Sequence, residues 1–173
     1  MTHMEKIEIV DYTPGALGRV IELHGRYYAQ HWGLGLYFET RVAAELAELM
    51  SRFNPATDGA WFVQDYDTIV GSIFIDGRDA EGKGARLRWF IVHPNYHKLG
   101  FGHQLMDTAI GFCQERKFKR VYLTTFKGLD AAHHLYEKFG FRLCHEENGR
   151  ELTGNDALIE QVFELRLEAD EAL

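Results

Sequence analysis

Two cysteines and three prolines are all that 173 residues contain, and no apolar run approaches the roughly 18 residues that a membrane-crossing helix needs. A membrane is therefore not expected as a partner. The opening Met1-Thr-His-Met-Glu-Lys6 lacks a signal-peptide core, which points to the cytoplasm. In that compartment Cys113, on the apolar side of a helical pattern, and Cys144, in a strand pattern, read as buried free thiols rather than a disulfide. Basic residues are also short: 19 Lys and Arg stand against 26 Asp and Glu, a net charge of −7. A nucleic-acid surface is usually basic, so nucleic acid is not expected either. The acidic balance leaves room for a small cationic partner such as an amine, although net charge describes a whole surface and not a site.

Several chemical motifs are missing as well. Nine histidines invite a metal, but there is no Cys-x-x-Cys and no His-Glu-x-x-His. His133 and His134 are adjacent and point to different sides of a helix, while Pro94 between His93 and His97 prevents a helical His-x-x-x-His face. No metal is expected. Neither Ser51 nor Ser72 lies in a Gly-x-Ser-x-Gly turn, which removes the serine-hydrolase reading.

What is present is an ordinary globular composition, 46% hydrophobic and 26% charged, in a length that suits one domain over residues 1–173. The last residues, 168–173, are expected to fray. Ile7 to Val10 reads as a first strand. Thr13 as cap and Pro14 in the first turn predict a helix to about Gln30. His31 to Gly35 is a glycine-broken loop. A second helix is predicted from Glu39 to Phe53, with Val42, Leu46, Leu49 and Met50 inward. Trp61 to Gln64 and Ile69 to Ile75 read as a hairpin, and Arg86 to His93 as a central strand. Lys119 to Phe126, Phe141 to Glu146 and Ala157 to Leu167 supply the last strands. Antiparallel neighbours come first and strands alternating with helices come later, which predicts a mixed α/β sheet covered on both faces. The final strand carries Ile159, Val162, Phe163 and Leu165, and such a strand near the chain end can pair or pack across a two-fold axis. A homodimer is expected on that ground; the plain alternative is a strand wholly inside the monomer's own sheet.

The most informative stretch runs from Ile91 to Met106. An apolar strand stops at Pro94, a short polar turn follows, and Gly100-Phe-Gly102 opens an amphipathic helix with Leu105, Met106, Ala109, Ile110 and Cys113 on one face. Glycines let the backbone approach an anion, and the free N–H groups of a helix N-terminus point at it. The turn is not a Walker A loop, because His103 and Gln104 follow Gly102 instead of Lys and Ser/Thr. It is not a Rossmann fingerprint, because Leu105 stands at the third glycine. An ordinary strand-to-helix turn remains the bland alternative.

Downstream, Val121 to Phe126 is β-rich, and a helix from Asp130 to Phe139 stops at Gly140. Together with His97-Lys-Leu-Gly-Phe-Gly102, the segment Leu135-Tyr-Glu-Lys-Phe-Gly-Phe141 resembles the GNAT superfamily of N-acetyltransferases over nearly the whole chain. That superfamily places a Gln/Arg-x-x-Gly-x-Gly/Ala turn after its fourth strand and a Leu-Tyr-Glu-x-x-Gly-Phe segment further on. Tyr12 to Gly18, His24 to Ala29, Leu87 to Val92 and Leu158 to Leu165 look most like the acetyltransferase half of MarR–GNAT fusion regulators. The winged-helix half of those fusions is absent, since the first acetyltransferase strand is expected to begin near Glu5.

The resemblance implies the GNAT acyl-CoA N-acyltransferase fold, mostly antiparallel with about seven strands. It implies acetyl-CoA as the acetyl donor, held where strands four and five splay apart. The pantetheine arm would pair with the backbone of Phe90, Ile91 and Val92, and the pyrophosphate would sit on the N–H groups of Lys98, Leu99, Gly100, Phe101, Gly102 and His103. His97 departs from the family's Gln or Arg, and Lys98 from a small residue. Tyr136 would protonate the leaving thiolate, a role that suits a phenol with an ordinary pKa near 10; a core tyrosine is the alternative. His24, Tyr28 and Trp32 lie where the family shapes its acceptor pocket, against the plain reading of helix residues half facing solvent.

Two further departures concern the chemistry. Leu129 stands where the family often has an asparagine, and Thr124 where some members carry a glutamate base; strand four offers no carboxylate between Arg86 and Val92. The general base stays unassigned between a water chain and His24. The first reading is an enzyme moving acetyl from acetyl-CoA to a primary amine of a small metabolite or amino acid by direct attack. The competing reading is a non-catalytic acyl-CoA-binding sensor or interaction module.

Overall fold

The alternation of buried and half-buried residues from Ala85 to Val92 marks the strand around which the molecule is organised. The computed structural model describes residues 6–167; the strand start expected near Glu5 and the fraying expected over residues 168–173 lie outside the described residues. The strands are β1 (Ile7–Val10), β2 (Gly59–Asp65), β3 (Thr68–Asp76), β4 (Ala85–Val92), β5 (Arg120–Phe126), β6 (Arg142–Asn148) and β7 (Ile159–Arg166). They form one sheet in the order β1-β2-β3-β4-β5-β7-β6, antiparallel except between β4 and β5. The helices are α1 (Ala16–Trp32), α2 (Leu36–Ser51), α3 (Phe101–Glu115), α4 (Asp130–Lys138) and the short α5 (Arg150–Thr153). This is the expected mixed sheet of the GNAT fold.

Each face of the sheet has its own core, because strand residues alternate between faces and each set needs an apolar helix stripe against it. Phe101, Leu105, Met106, Ala109, Ile110 and Cys113 of α3 cover one face, with Tyr136 of α4. Ala16 and Val20 of α1 and Phe38, Val42, Leu46 and Leu49 of α2 cover the other. None of the described helices is long and apolar enough to cross a membrane.

Two irregularities in β4 create the site. Trp89 takes a left-handed φ of 44°, an uncommon conformation for a bulky residue, and the β3–β4 register shifts between Ser72 and Phe74. The Ser72 hydroxyl donates to the Trp89 carbonyl at 2.7 Å and holds the bulge. The alternation therefore slips: Leu87 and Phe90 pack with the α3 core, while Trp89 joins the α1–α2 core. In addition, β4 pairs with β5 only at Ala85–Val121 and Arg86–Tyr122. Beyond those rungs the strands part, while β5 stays paired with β7 through Phe126.

Several expectations are corrected. Thr13 does not cap α1 through its side chain; Gly15, at φ 93°, precedes the helix, and the Ala16 N–H donates to the Thr13 carbonyl at 3.0 Å. Helix α2 begins at Leu36, ahead of the expected Glu39. The hairpin turn without glycine is made by Tyr66, which adopts φ 56°. Cys113 is buried, but Cys144 is exposed on β6. Strand β7 lies between β5 and β6, so it has no free edge for pairing across a two-fold axis; β6 is the edge strand. The plain alternative for that strand is the one observed.

Candidate active site

Where β4 and β5 part, two chambers open, both lined by Phe90. The larger, about 440 Å³, is a groove running from Tyr27, Tyr28 and Trp32 past Phe90–Val92 to the start of α3. The smaller, about 120 Å³, is a pocket between α1, α2, β4, β5 and Tyr136 of α4. Tyr28, Phe90 and Leu129 line both.

The groove is a backbone device. The inner side of β4 is paired to β3 at Ile91 and Val92, which leaves its outer side open toward the parted β5. A 3-10 turn over Pro94–Tyr96 then leads to Lys98, at φ 67°, and Gly100, at φ 85°. The first bond of α3 runs from the Gln104 N–H to the Gly100 carbonyl at 3.0 Å. Among the described residues, none of the N–H groups from Lys98 to His103 has an acceptor. Left-handed residues this close together turn successive N–H groups to one side, and the helix N-terminus adds its positive end. Gly100 is required for its φ alone, since a Cβ there meets nothing within 4 Å.

Of the side chains expected at this cradle, Lys98, Gly100, Phe101 and Gly102 line the groove and Leu99 and His103 do not. Leu99 is exposed. The His103 ring turns to Phe139 and to Asp107, at 3.2 Å from its carboxylate. His97 bonds through Nε2 to the Val92 carbonyl at 2.7 Å, so the residue that replaces Gln or Arg braces the strand end.

The pocket is a side-chain device. Tyr136 is buried against Phe90, Phe141 and Phe163, with ring centroids 6.0–6.2 Å away. Its hydroxyl has no hydrogen-bond partner among the described residues, and burial pushes the phenol pKa well above its ordinary value. Tyr28, beside it, is pushed up by burial and by the neighbouring tyrosines. His24 is buried and stacks on Tyr28, with its Nδ1 2.8 Å from the Val20 carbonyl. A carbonyl only accepts, so Nδ1 carries the proton and Nε2 is left with a lone pair. Burial depresses the His24 pKa to about 4, which makes the imidazole neutral at pH 7.

His24 is thus buried rather than half facing solvent, Tyr28 is partly buried, and the structure brings both to the pocket with Tyr136. It does not bring Trp32 there. Trp32 packs edge-on to Phe126 and lines only the groove, over Gly128, where a Cβ would sit 2.4 Å from its ring. Thr124 and Leu129, the departures noted above, both reach the pocket wall.

The charged residues of the pocket were missed from sequence. Arg41 and Glu45 come from α2, and Arg86 and Arg88 from β4. The Glu45 carboxylate takes Arg41 at 2.7 Å and also pairs closely with Arg88, whose guanidinium lies 4.1 Å from the Trp89 ring. One signal was available: two arginines at strand spacing, on one face of an otherwise apolar strand, mark an inward charged stripe. Among the described residues no group of His, Cys, Asp and Glu is arranged to hold a metal.

The fold has close structural counterparts. An acetyltransferase from Streptococcus agalactiae superposes with a TM-score of 0.73 at 22% identity, over 94% of this chain and 99% of its own. The putative acetyltransferase yncA from Salmonella typhimurium, solved with acetyl-CoA, gives 0.73 at 13% identity over 96% and 97%. The ribosomal-protein-S18-alanine N-acetyltransferase from Escherichia coli gives 0.69 at 17% identity over 96% and 98%. At such identities the likeness concerns the fold. No curated protein matches the sequence significantly. Residues 19–141, well over half of the sequence, match the acetyltransferase (GNAT) family, and the chain belongs to it.

Proposed function

We propose that this protein transfers the acetyl group of acetyl-CoA to a primary amine of a small metabolite or amino acid. Family membership makes acetyl-CoA the donor, and a relative of this fold was solved with it. The observation that carries the reading is the parted β4–β5 edge, which joins the unpaired N–H groups of Lys98–His103 to the pocket holding Tyr136. The pyrophosphate suits the cradle of N–H groups, and the amides of the pantetheine arm suit the open backbone of Phe90, Ile91 and Val92. The thioester then lies near Phe90, where groove and pocket meet.

In the pocket the amine lone pair attacks the acetyl carbon, a C–N bond forms and the C–S bond breaks. Tyr136 gives its proton, or a hydrogen bond, to the departing sulfur. Its raised pKa makes it a weaker acid than an exposed phenol, but it keeps the donor proton in place at neutral pH. A thiolate formed in the same dry site is also destabilised, which favours that hydrogen bond. His24, neutral with Nε2 unprotonated, accepts a proton only weakly, so a water chain is the better exit for the proton lost by the amine.

The test is a broad amine screen with acetyl-CoA, read as free thiol. Amine-dependent release supports the enzyme. Tight acetyl-CoA binding with no release from any amine supports the sensor reading, which Leu129 and Thr124 favour. Within the family, the segments Tyr12–Gly18, His24–Ala29 and Leu87–Val92 support a resemblance to the acetyltransferase halves of MarR–GNAT fusions. We also keep one domain, a cytoplasmic setting and a homodimer, now through the β6 edge since β7 is closed on both sides. A monomer mass by light scattering at micromolar concentration overturns the dimer.

A further inference from the structure

The pocket is cationic although the whole chain is acidic. Its lining offers Arg41, Arg86 and Arg88 against Glu45 alone. Glu45 is shared by Arg41 and Arg88, and Asp76, 4.0 Å from Arg88, is itself taken by Arg52 at 2.8 Å. Arg86 is left over. Among the described residues its Nε is buried with no hydrogen-bond partner, and no carboxylate forms an ion pair with it, its cross-strand neighbour Asp76 on β3 being the one held by Arg52. From β7, the Glu160 carboxyl lies within electrostatic reach of Arg86 and Arg41 but forms no hydrogen bond or ion pair with either; burial and Glu147 push its pKa upward. From β5, Tyr122 faces Arg86 across the last β4–β5 rung.

Burying a guanidinium donor without a partner is costly, and native proteins rarely leave one so. A planar guanidinium is also the group best matched to a carboxylate or phosphate. A simple alkylammonium would be repelled here. An amine that carries its own anion would be drawn in, and the arginines would lower the pKa of its ammonium toward the neutral, nucleophilic form.

We propose that the acceptor carries an oxyanion, a carboxylate or a phosphate, beside its primary amine, and that Arg86 receives it, with the half-exposed Arg41 as second contact. This rests on the amine-acetylation reading above. It reverses what net charge suggested, because the local charge of the pocket and not the −7 of the chain decides what enters. The pocket's volume of about 120 Å³ restricts the acceptor to a small molecule or the small reacting end of a larger one.

Matched pairs test it: β-alanine against propylamine, and phosphoethanolamine against ethanolamine. Each is titrated calorimetrically into protein holding coenzyme A, which occupies the phosphate cradle, and each is offered with acetyl-CoA and read as free thiol. In at least one pair the anionic member should bind and react about 10- to 100-fold better, the range for one charge-assisted contact. The preferred pair identifies the oxyanion. Arg86→Gln should erase the preference through KM more than kcat, and Arg86→Lys should restore part of it. Should Arg86→Gln fail to fold, Arg41→Gln should still reduce the preference severalfold. Equal or better use of the neutral members, an unchanged preference in the glutamine variants, or no binding by either anionic member overturns the proposal. Thiol release from neutral amines alone would do so while sparing amine acetylation. Arg86-dependent anion binding without thiol release from any amine would uphold the anion site and sink the transfer reading.

Discussion

The groove and the pocket share Tyr28, Phe90 and Leu129 but are made of different material. The groove offers main chain: an open strand edge at Phe90–Val92 and a run of N–H groups from Lys98 to His103. The pocket offers side chains: His24, Arg41, Arg86, Arg88 and Tyr136, drawn from four elements. A backbone site tolerates most changes of residue provided the φ values survive. A side-chain site changes its ligand with each replacement. One fold can therefore keep a fixed donor and exchange acceptors.

The sharpest way to break this contrast is Gly100→Val. A Cβ at that position meets nothing within 4 Å, so packing does not forbid it, but a β-branched residue at φ 85° is strained. The backbone should relax and misdirect the N–H groups. Loss of even two charge-assisted bonds, at about 1.5–3 kcal/mol each, removes a factor of about 10²–10⁴ or more. Calorimetry should detect no acetyl-CoA binding to a folded variant; unchanged affinity would show that the cradle does not bind the pyrophosphate.

Tyr136→Phe probes the junction. The ring packing with Phe90, Phe141 and Phe163 is kept and one oxygen is lost. Acetyl-CoA affinity should hardly change, while turnover of an acceptor from the screen falls by about 10²–10⁴-fold. The loss should appear in both kcat and kcat/KM, because the interaction belongs to the transition state. A wild-type rate for a chemical step shown to be limiting would make Tyr136 a core residue.

His24 gives a smaller, pH-dependent effect. Its folded pKa of about 4 lies below the unfolded value near 6.5, so between them the unfolded chain binds the extra proton. The contribution of neutral His24 is fully present above about pH 6.5 and is lost as pH falls toward 4. Between pH 7.5 and 4.5 the wild type should lose about 2–3 kcal/mol more stability than His24→Gln in urea titrations. Parallel pH profiles would place the imidazole in a wetter setting than the packing on Tyr28 indicates.

Gly102→Ala should do least. Its Cβ would sit 3.5 Å from Phe90 and 3.6 Å from Leu135, ordinary contacts in a helical backbone. Alanine should leave the fold intact and raise its stability by up to about 1 kcal/mol, while weakening acetyl-CoA severalfold by standing in the cradle. Calorimetry and thermal melting on the same sample separate the two effects.

Elements whose apolar residues recur at 3.6 or 2.0 positions were legible in the sequence. The buried face of α3, from Leu105 to Cys113, and the strand from Arg86 onward lie where their periodicity put them. Boundaries set by glycine conformation were not: Thr13 looked like a side-chain cap, whereas the chain enters α1 through left-handed Gly15. Four-residue α5 carries no periodicity to read. Strand β7 looked like a free final strand because chain order says nothing about sheet order, and β6 took the edge. In the same way, Cys144 sits in a strand pattern that leads one to expect burial, but at that edge it is exposed.

The sequence by itself determined the proposed donor cradle, because Lys98 to His103 are contiguous and a left-handed turn entering a helix is a local conformation, written in glycines and in the apolar face that follows. Only the tertiary structure decided the pocket proposed for the acceptor. The Trp89 bulge, the parting of β4 from β5 after Arg86 and the packing of α1 and α2 in one core bring His24, Arg41, Arg86 and Tyr136 around one space. Side chains so far apart in sequence meet only when the sheet order and the local slips in its register are settled. Those follow from burying two apolar helix layers on opposite faces, and not from any short motif.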